Sequence, residues 1–157
     1  MNILFLCTGN SCRSIMAEAL FNDIAPEGFT AQSAGSKPTG LIPPQALAAL
    51  KKAGINTNGL FSKSWEDLAV KPNVVITLCS EAQGEVCPLY FGAVVKSHWG
   101  MDDPAKVQGS EAQIAAAFNT TLQVLNKRLQ ALVEILEQNP EIGNLELEKK
   151  LDSVAQI

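Results

Sequence analysis

Cys7 and Arg13 stand at the two ends of a loop-forming run, Cys7-Thr8-Gly9-Asn10-Ser11-Cys12-Arg13, with five residues between them and Ser14 immediately after. A thiol is a nucleophile as its thiolate, and a guanidinium is a fork of donors for carboxylate-like and phosphate-like oxygens. Gly9 and Asn10 tolerate backbone angles that most residues avoid, so the run can turn successive N–H groups toward one point. The amides of Thr8, Gly9, Asn10, Ser11, Cys12, Arg13 and Ser14, the Arg13 side chain and the positive end of a following helix then form a cradle for a tetrahedral oxyanion. The same field favours the thiolate form of Cys7, with the Ser14 hydroxyl as a further donor. The plainer reading is a buried strand-end cysteine and an unrelated surface arginine. An apolar strand before, a helix after, and the Gly-Asn turn between them favour the first reading.

Two further groups could take part. Cys79 and Cys87 are separated by seven residues. In a regular helix their Cα atoms would lie about 12 Å apart, whereas a disulfide needs about 7 Å or less. Pairing therefore requires the segment to loop or unwind, which Gly84 and Pro88 permit; the alternative is a small core residue and an incidental surface thiol. Asp103 precedes Pro104, which fits a helix N-cap and equally fits a general acid, with Asp102 as the second choice. His98 is the only histidine, which argues against a cysteine–histidine protease pair or a zinc site, and no metal is expected.

These groups need a frame. Ile3-Leu4-Phe5-Leu6 reads as a buried strand, and Ile15, Met16, Ala19, Leu20 and Ile24 have helical spacing. Residues 29–34 read as a second strand ending at Gly35, 44–53 as a helix stopped by Gly54, and 64–70 as a short helical turn capped by Ser64. Residues 73–78 form a continuous apolar and β-branched run, the pattern of a central strand, and 93–98 read as a fourth strand. His98 and Trp99 read as packing at that strand's end, and 101–110 as a polar loop. Ile114, Phe118, Leu122, Leu125, Leu129, Leu132 and Leu136 mark one buried stripe on a helix from about Glu111 to Gln138. Leu145 to Val154 has the spacing of a short amphipathic helix, but charged tails of this kind are more often loosely held. The expectation is one α/β domain over 1–139, a three-layer arrangement with a central four-stranded, mainly parallel sheet flanked by helices, and a tail over 140–157. Ligands of such sheets sit at the carboxyl ends of the strands, so Cys7 and Cys79, each just after a strand, should share an edge.

Composition sets outer bounds. The chain has 157 residues, is 46% hydrophobic and 18% charged, and has a net charge of −4, with no basic cluster. That argues against nucleic acid as a partner and leaves anion binding to local geometry. No signal-peptide pattern or long apolar span is visible, so the expected location is cytoplasmic, without a membrane partner, and the four cysteines read as catalytic or redox thiols.

The run CTGNSCRS after an N-terminal strand resembles the phosphate-binding loop of the low-molecular-weight protein tyrosine phosphatase fold. The further pattern of TLC, a short polar segment, CP and then HWGMDDPA resembles the thioredoxin-coupled arsenate reductases built on that fold, over roughly residues 1 to 138. The resemblance implies arsenate as substrate, with phosphate or sulfate as analogues, a monomer without cofactor, and catalysis by Cys7, Arg13, Cys79, Cys87 and Asp103. Cys7 would attack arsenic and Asp103 would protonate the departing oxygen. Cys79 and then Cys87 would carry the resulting disulfide to thioredoxin. Seven residues between Cys79 and Cys87, where six are usual, keep a glutaredoxin- or low-molecular-weight-thiol-coupled variant open. Other readings are a tyrosine phosphatase, against which Ala105 replaces the usual tyrosine, and an oxyanion-sensing module without turnover. The resemblance further implies that Asn10, Glu18 and Ser33 help to hold a monovalent cation in some members. Lys63 replaces the matching aspartate here, and its ammonium can stand in for the ion, which predicts weak potassium dependence.

Overall fold

The computed structural model describes residues 1–80, 83–86, 88–90, 92 and 94–157; Cys87 and the expected start of the fourth strand at Ala93 lie outside the described residues. Four parallel strands, β1 (Asn2–Cys7), β2 (Thr30–Gly35), β3 (Val74–Thr77) and β4 (Val95–His98), form one sheet in the order β2-β1-β3-β4. The long helices are α1 (Arg13–Ile24), α2 (Pro44–Lys52), α3 (Glu111–Gln138) and α4 (Asn144–Val154). From β1 the chain goes first to one side, to β2, and then returns to the other side, to β3. The crevice where the direction reverses opens beyond the carboxyl end of β1, the position where open parallel sheets bind ligands.

The alternation of side chains along the strands divides the core. Ile3, Phe5, Val74 and Ile76 face the main cluster, which takes in apolar residues of α1, α2, α3 and α4 together with Trp99. Leu4, Leu6 and Val75 point to the opposite face, where Ala34 joins them and Trp65, Leu68, Tyr90 and Val94 pack. Phe5 is the hub of the larger cluster, with the rings of Phe21 and Trp99 both 6.4 Å from its own. Ser64 caps a single 3₁₀ turn, Trp65–Asp67, by accepting from the Glu66 amide.

The helix α3 spans the residues that its apolar stripe predicts. Ser110 and Gln113 form a reciprocal capping box at its start, and Asn139 stands at its end. The segment after it departs from the expectation of a loose tail. Leu147, Leu151 and Val154, spaced four and three apart, are buried, and the fully buried Trp99 donates its indole N–H to the Leu151 carbonyl (2.9 Å). Ser97 donates to Asp152 (2.7 Å), so α4 is held to the end of β4 by polar as well as apolar contacts. Arg128, on α3, donates to the carbonyls of Trp99 and Ala155. His98 also departs from the packing role: it is exposed, with Nδ1 2.7 Å from the Thr77 hydroxyl.

Candidate functional site

The strand β1 ends at Cys7 and α1 begins at Arg13, so the intervening loop reverses the chain directly over the sheet edge. The reversal rests on Asn10, whose φ of 44° lies in the left-handed region that asparagine tolerates better than most residues. Three polar groups of Asn10 fix the loop. Its amide donates to Cys7 Sγ (3.3 Å), its Nδ2 donates to Ser14 Oγ (2.8 Å), and its Oδ1 accepts from the Lys63 amide (2.8 Å). Since Ser14 Oγ accepts from Asn10, its own proton is free to point at Cys7 Sγ, 3.0 Å away. Two donors thus converge on a 2% exposed sulfur.

The loop is also held from behind. The Thr8 carbonyl accepts from the Lys37 amide (3.0 Å), and that of Gly9 accepts from the Thr39 amide (3.0 Å) and the Ser62 hydroxyl (3.3 Å). Gly35, paired in register with Cys7, lets the loop come this close: a Cβ there would stand 2.4 Å from the Thr8 carbonyl oxygen. Beside it, Ser33 donates to Glu18 (2.9 Å), and the Lys63 ammonium lies 3.5 Å from the same carboxylate oxygen and 4.5 Å from the centre of the Phe61 ring. Asn10, Glu18, Ser33 and Lys63 therefore form one cluster under the loop.

Arg13, 5% exposed, donates through Nη1 to the carbonyls of Leu78 (3.4 Å) and Met101 (3.0 Å). Its principal partner is Glu85, with Nη1–Oε1 at 2.9 Å and Nη2–Oε2 at 3.0 Å. Burial alone would lower the guanidinium's proton affinity. The Glu85 hydrogen bonds, with the charges of Cys7, Asp103 and Glu85, outweigh it and hold Arg13 above its ordinary value. Asp103 is the expected cap through one carboxylate oxygen and faces Arg13 with the other. Oδ1 accepts from the Ala105 amide (3.0 Å) as the cap of the short turn Pro104–Lys106, and Oδ2 lies 3.7 Å from Arg13 Nη2. Asp102 is turned aside to accept from Ser80 (2.9 Å).

Cys12 behaves as packing. Burial pushes its thiol up to about 12, Ser11 and Arg13 pull the other way, and the charges of Asp103 and Cys7 push it further up, so at neutral pH it is a protonated sulfur rather than a rival nucleophile. Cys79 is fully buried, two residues beyond β3. The amide of its neighbour Leu78 still pairs with the Leu6 carbonyl (3.0 Å), which places Cys79 at the same sheet edge as Cys7. Cys79 is disulfide-bonded, whereas Cys7 and Cys12 are free thiols. Together the loop and the segments around it border a cavity of about 400 Å³ whose wall includes Thr8, Gly9, Arg13, Trp65, Glu85 and Asp103.

Glu85 and Gly35 were not apparent from sequence. The pairing of Glu85 with Arg13 joins residues 72 positions apart and leaves no periodic signal. Gly35 did carry a signal, as a glycine closing a strand in a chain whose first strand ends at a reactive-looking loop. Among the described residues, no group of three or more histidine, cysteine or acidic side chains is arranged to hold a metal ion, and no helix is long and apolar enough to cross a membrane.

Comparison with known proteins places this geometry. Residues 2–142 match the low molecular weight phosphotyrosine protein phosphatase family. An arsenate reductase of Bacillus subtilis is 38% identical over 133 residues, covering 84% of this chain and 94% of that protein. A solved arsenate reductase in a phosphate-binding state superimposes with a TM-score of 0.68 at 25% identity, covering 85% of this chain and 96% of the other. A thioredoxin-dependent arsenate reductase of Corynebacterium glutamicum superimposes with a TM-score of 0.53 at 27% identity, covering 82% of this chain and 61% of that one.

Proposed function

The chain belongs to the low molecular weight phosphotyrosine protein phosphatase family, and from that premise we propose that it is an arsenate reductase that uses three of its thiols in sequence. Arsenate occupies the cradle of the Thr8–Ser14 amides and Arg13. The Cys7 thiolate forms a bond to arsenic, an As–O bond breaks, and Asp103 gives a proton to the departing oxygen, which leaves as water. The Cys79 thiolate then attacks the Cys7 sulfur. The S–As bond breaks with its electron pair passing to arsenic, arsenite departs, and a Cys7–Cys79 disulfide remains. Attack of Cys87 on Cys79 frees Cys7 as thiolate and leaves a Cys79–Cys87 disulfide, which a dithiol of the thioredoxin class reduces with two electrons to the two thiols, becoming a disulfide itself.

The observation that carries this reading is the pairing of a free Cys7, hydrogen-bonded by Asn10 and Ser14, with a disulfide-bonded Cys79 at the same edge of the sheet. That distribution matches the state left after the third thiol has acted. The phosphate-binding state of one relative and the thioredoxin dependence of another support the substrate class and the electron donor. In this reading the enzyme acts in the cytoplasm as a monomer.

The test is arsenate-dependent NADPH oxidation through thioredoxin and thioredoxin reductase, run beside glutaredoxin with glutathione. The thioredoxin system should sustain turnover, Cys7→Ser and Arg13→Lys should lose it, and Cys87→Ser should stop after about one equivalent of arsenite. Many turnovers by Cys87→Ser would remove the relay, and exclusive support by glutaredoxin would replace the donor. The family's name favours a second reading, hydrolysis of phosphate monoesters, for which the loop and Asp103 suffice. Release of an aryl alcohol from an aryl phosphate at rates exceeding arsenate reduction would establish it.

A further inference from the structure

The guanidinium fork that should receive the substrate is already filled. Glu85 presents two carboxylate oxygens to the two terminal nitrogens of Arg13, the bidentate arrangement that two oxygens of a tetrahedral oxyanion would adopt. The side chains are 5% and 9% exposed, and Lys106 Nζ adds a second positive charge 3.6 Å from Glu85 Oε1. Glu85 reaches this place because Ser80 and residues 83–86 lie across the mouth of the loop as a strap. The Glu85 amide donates to the Ser80 carbonyl (3.1 Å), Gln83 Oε1 accepts from the Asp103 amide (2.8 Å), and the Thr8 hydroxyl donates to the Val86 carbonyl (3.3 Å). Ser80, at the near end, donates to Asp102 (2.9 Å). The strap begins next to Cys79, which is disulfide-bonded.

We propose that Glu85 is an internal competitor for the oxyanion: while Cys79 is held in its disulfide, the strap keeps the Glu85 carboxylate in the fork of Arg13 and excludes substrate until the disulfide is reduced. This rests on the oxyanion site proposed above. An arriving oxyanion needs the same nitrogens and meets a like charge, so the two cannot share the fork. Reduction by a dithiol breaks the S–S bond, leaves each sulfur as a thiol and converts the dithiol to its own disulfide. The strap then loses a covalent tether, and its release gains conformational freedom. The consequence is chemical order: arsenate enters only when the thiols that must finish the reaction are available, and inorganic phosphate is kept out of the spent enzyme.

Calorimetric titration with inorganic phosphate tests this, on the wild type and Glu85→Gln, each prepared oxidised and then reduced with dithiothreitol. Glu85→Gln keeps the shape and removes the charge. Oxidised Glu85→Gln should bind phosphate about tenfold or more tightly than oxidised wild type, the difference expected when one charged, bidentate hydrogen-bonded competitor is removed. Reduction should tighten the wild type and narrow the gap. A purely structural partner for Arg13 would lower stability without raising affinity. Glu85→Asp, too short to reach both nitrogens, should lie between the two, and the oxidised and reduced wild type can be compared with no substitution at all. Equal affinity in every sample overturns the strap and leaves the oxyanion site standing, and a gap unchanged by reduction overturns its redox link. Failure of phosphate to bind even the reduced wild type overturns the site itself.

Discussion

Cys12 shows how a buried titratable group becomes a measurable liability in alkali. Its thiol is held at about 12 against an ordinary value of 9.0. The unfolded chain therefore releases a proton above pH 9 that the folded chain keeps until about 12. Stability is fully present below the lower value and falls as pH rises between the two, because over that interval the folded state binds more protons. Cys12→Ala should flatten the fall: urea midpoints measured from pH 8 to 11 should decline less steeply than in the wild type, and parallel curves would count against it. Lys63 makes a second residue-level case. Its ammonium already stands 3.5 Å from Glu18, so turnover should change by less than about twofold between potassium and sodium, as steady-state assays in matched salts would show. At this scale the sequence was most readable where chemistry was local. The stretch from Cys7 to Ser14 is contiguous, and Asp103 advertises itself through Pro104. Glu85 was hidden because only the folded strap brings it to Arg13.

Among the elements, α3 and α4 teach opposite lessons. The stripe on α3 is long, so its limits follow from the apolar spacing alone. The apolar stripe of α4 has only Leu147, Leu151 and Val154, set among charged residues, and it is stable because β4 and α3 supply the matching surface. Arg128 strengthens that junction by donating to Trp99 and to Ala155, which follows the end of α4. It does so as a buried cation whose Nε lacks a partner among the described residues and whose proton affinity is lowered by burial, so its contribution is a difference of opposing effects. Arg128→Ala should lower unfolding free energy by about 2 kcal/mol, with amide exchange accelerating across Asn144–Val154 more than in α1. Unchanged exchange in that helix would show that its apolar contacts suffice.

At the level of the molecule, a parallel sheet that reverses direction beside β1 brings the ends of β1 and β3 to one crevice, and this much follows from alternating strand and helix patterns. A net charge of −4 gives no general attraction for an anionic substrate, so recognition is confined to the crevice itself. The Thr8 and Gly9 carbonyls and the Asn10 side chain are fastened from the far side by Lys37, Thr39, Ser62 and Lys63 before any substrate arrives. A receptor set in advance has little left to freeze when its guest enters. For the reduced protein, phosphate association should show a heat-capacity change near zero across 10 to 35 °C, a flat thermal signature that a receptor assembled around its guest would not give.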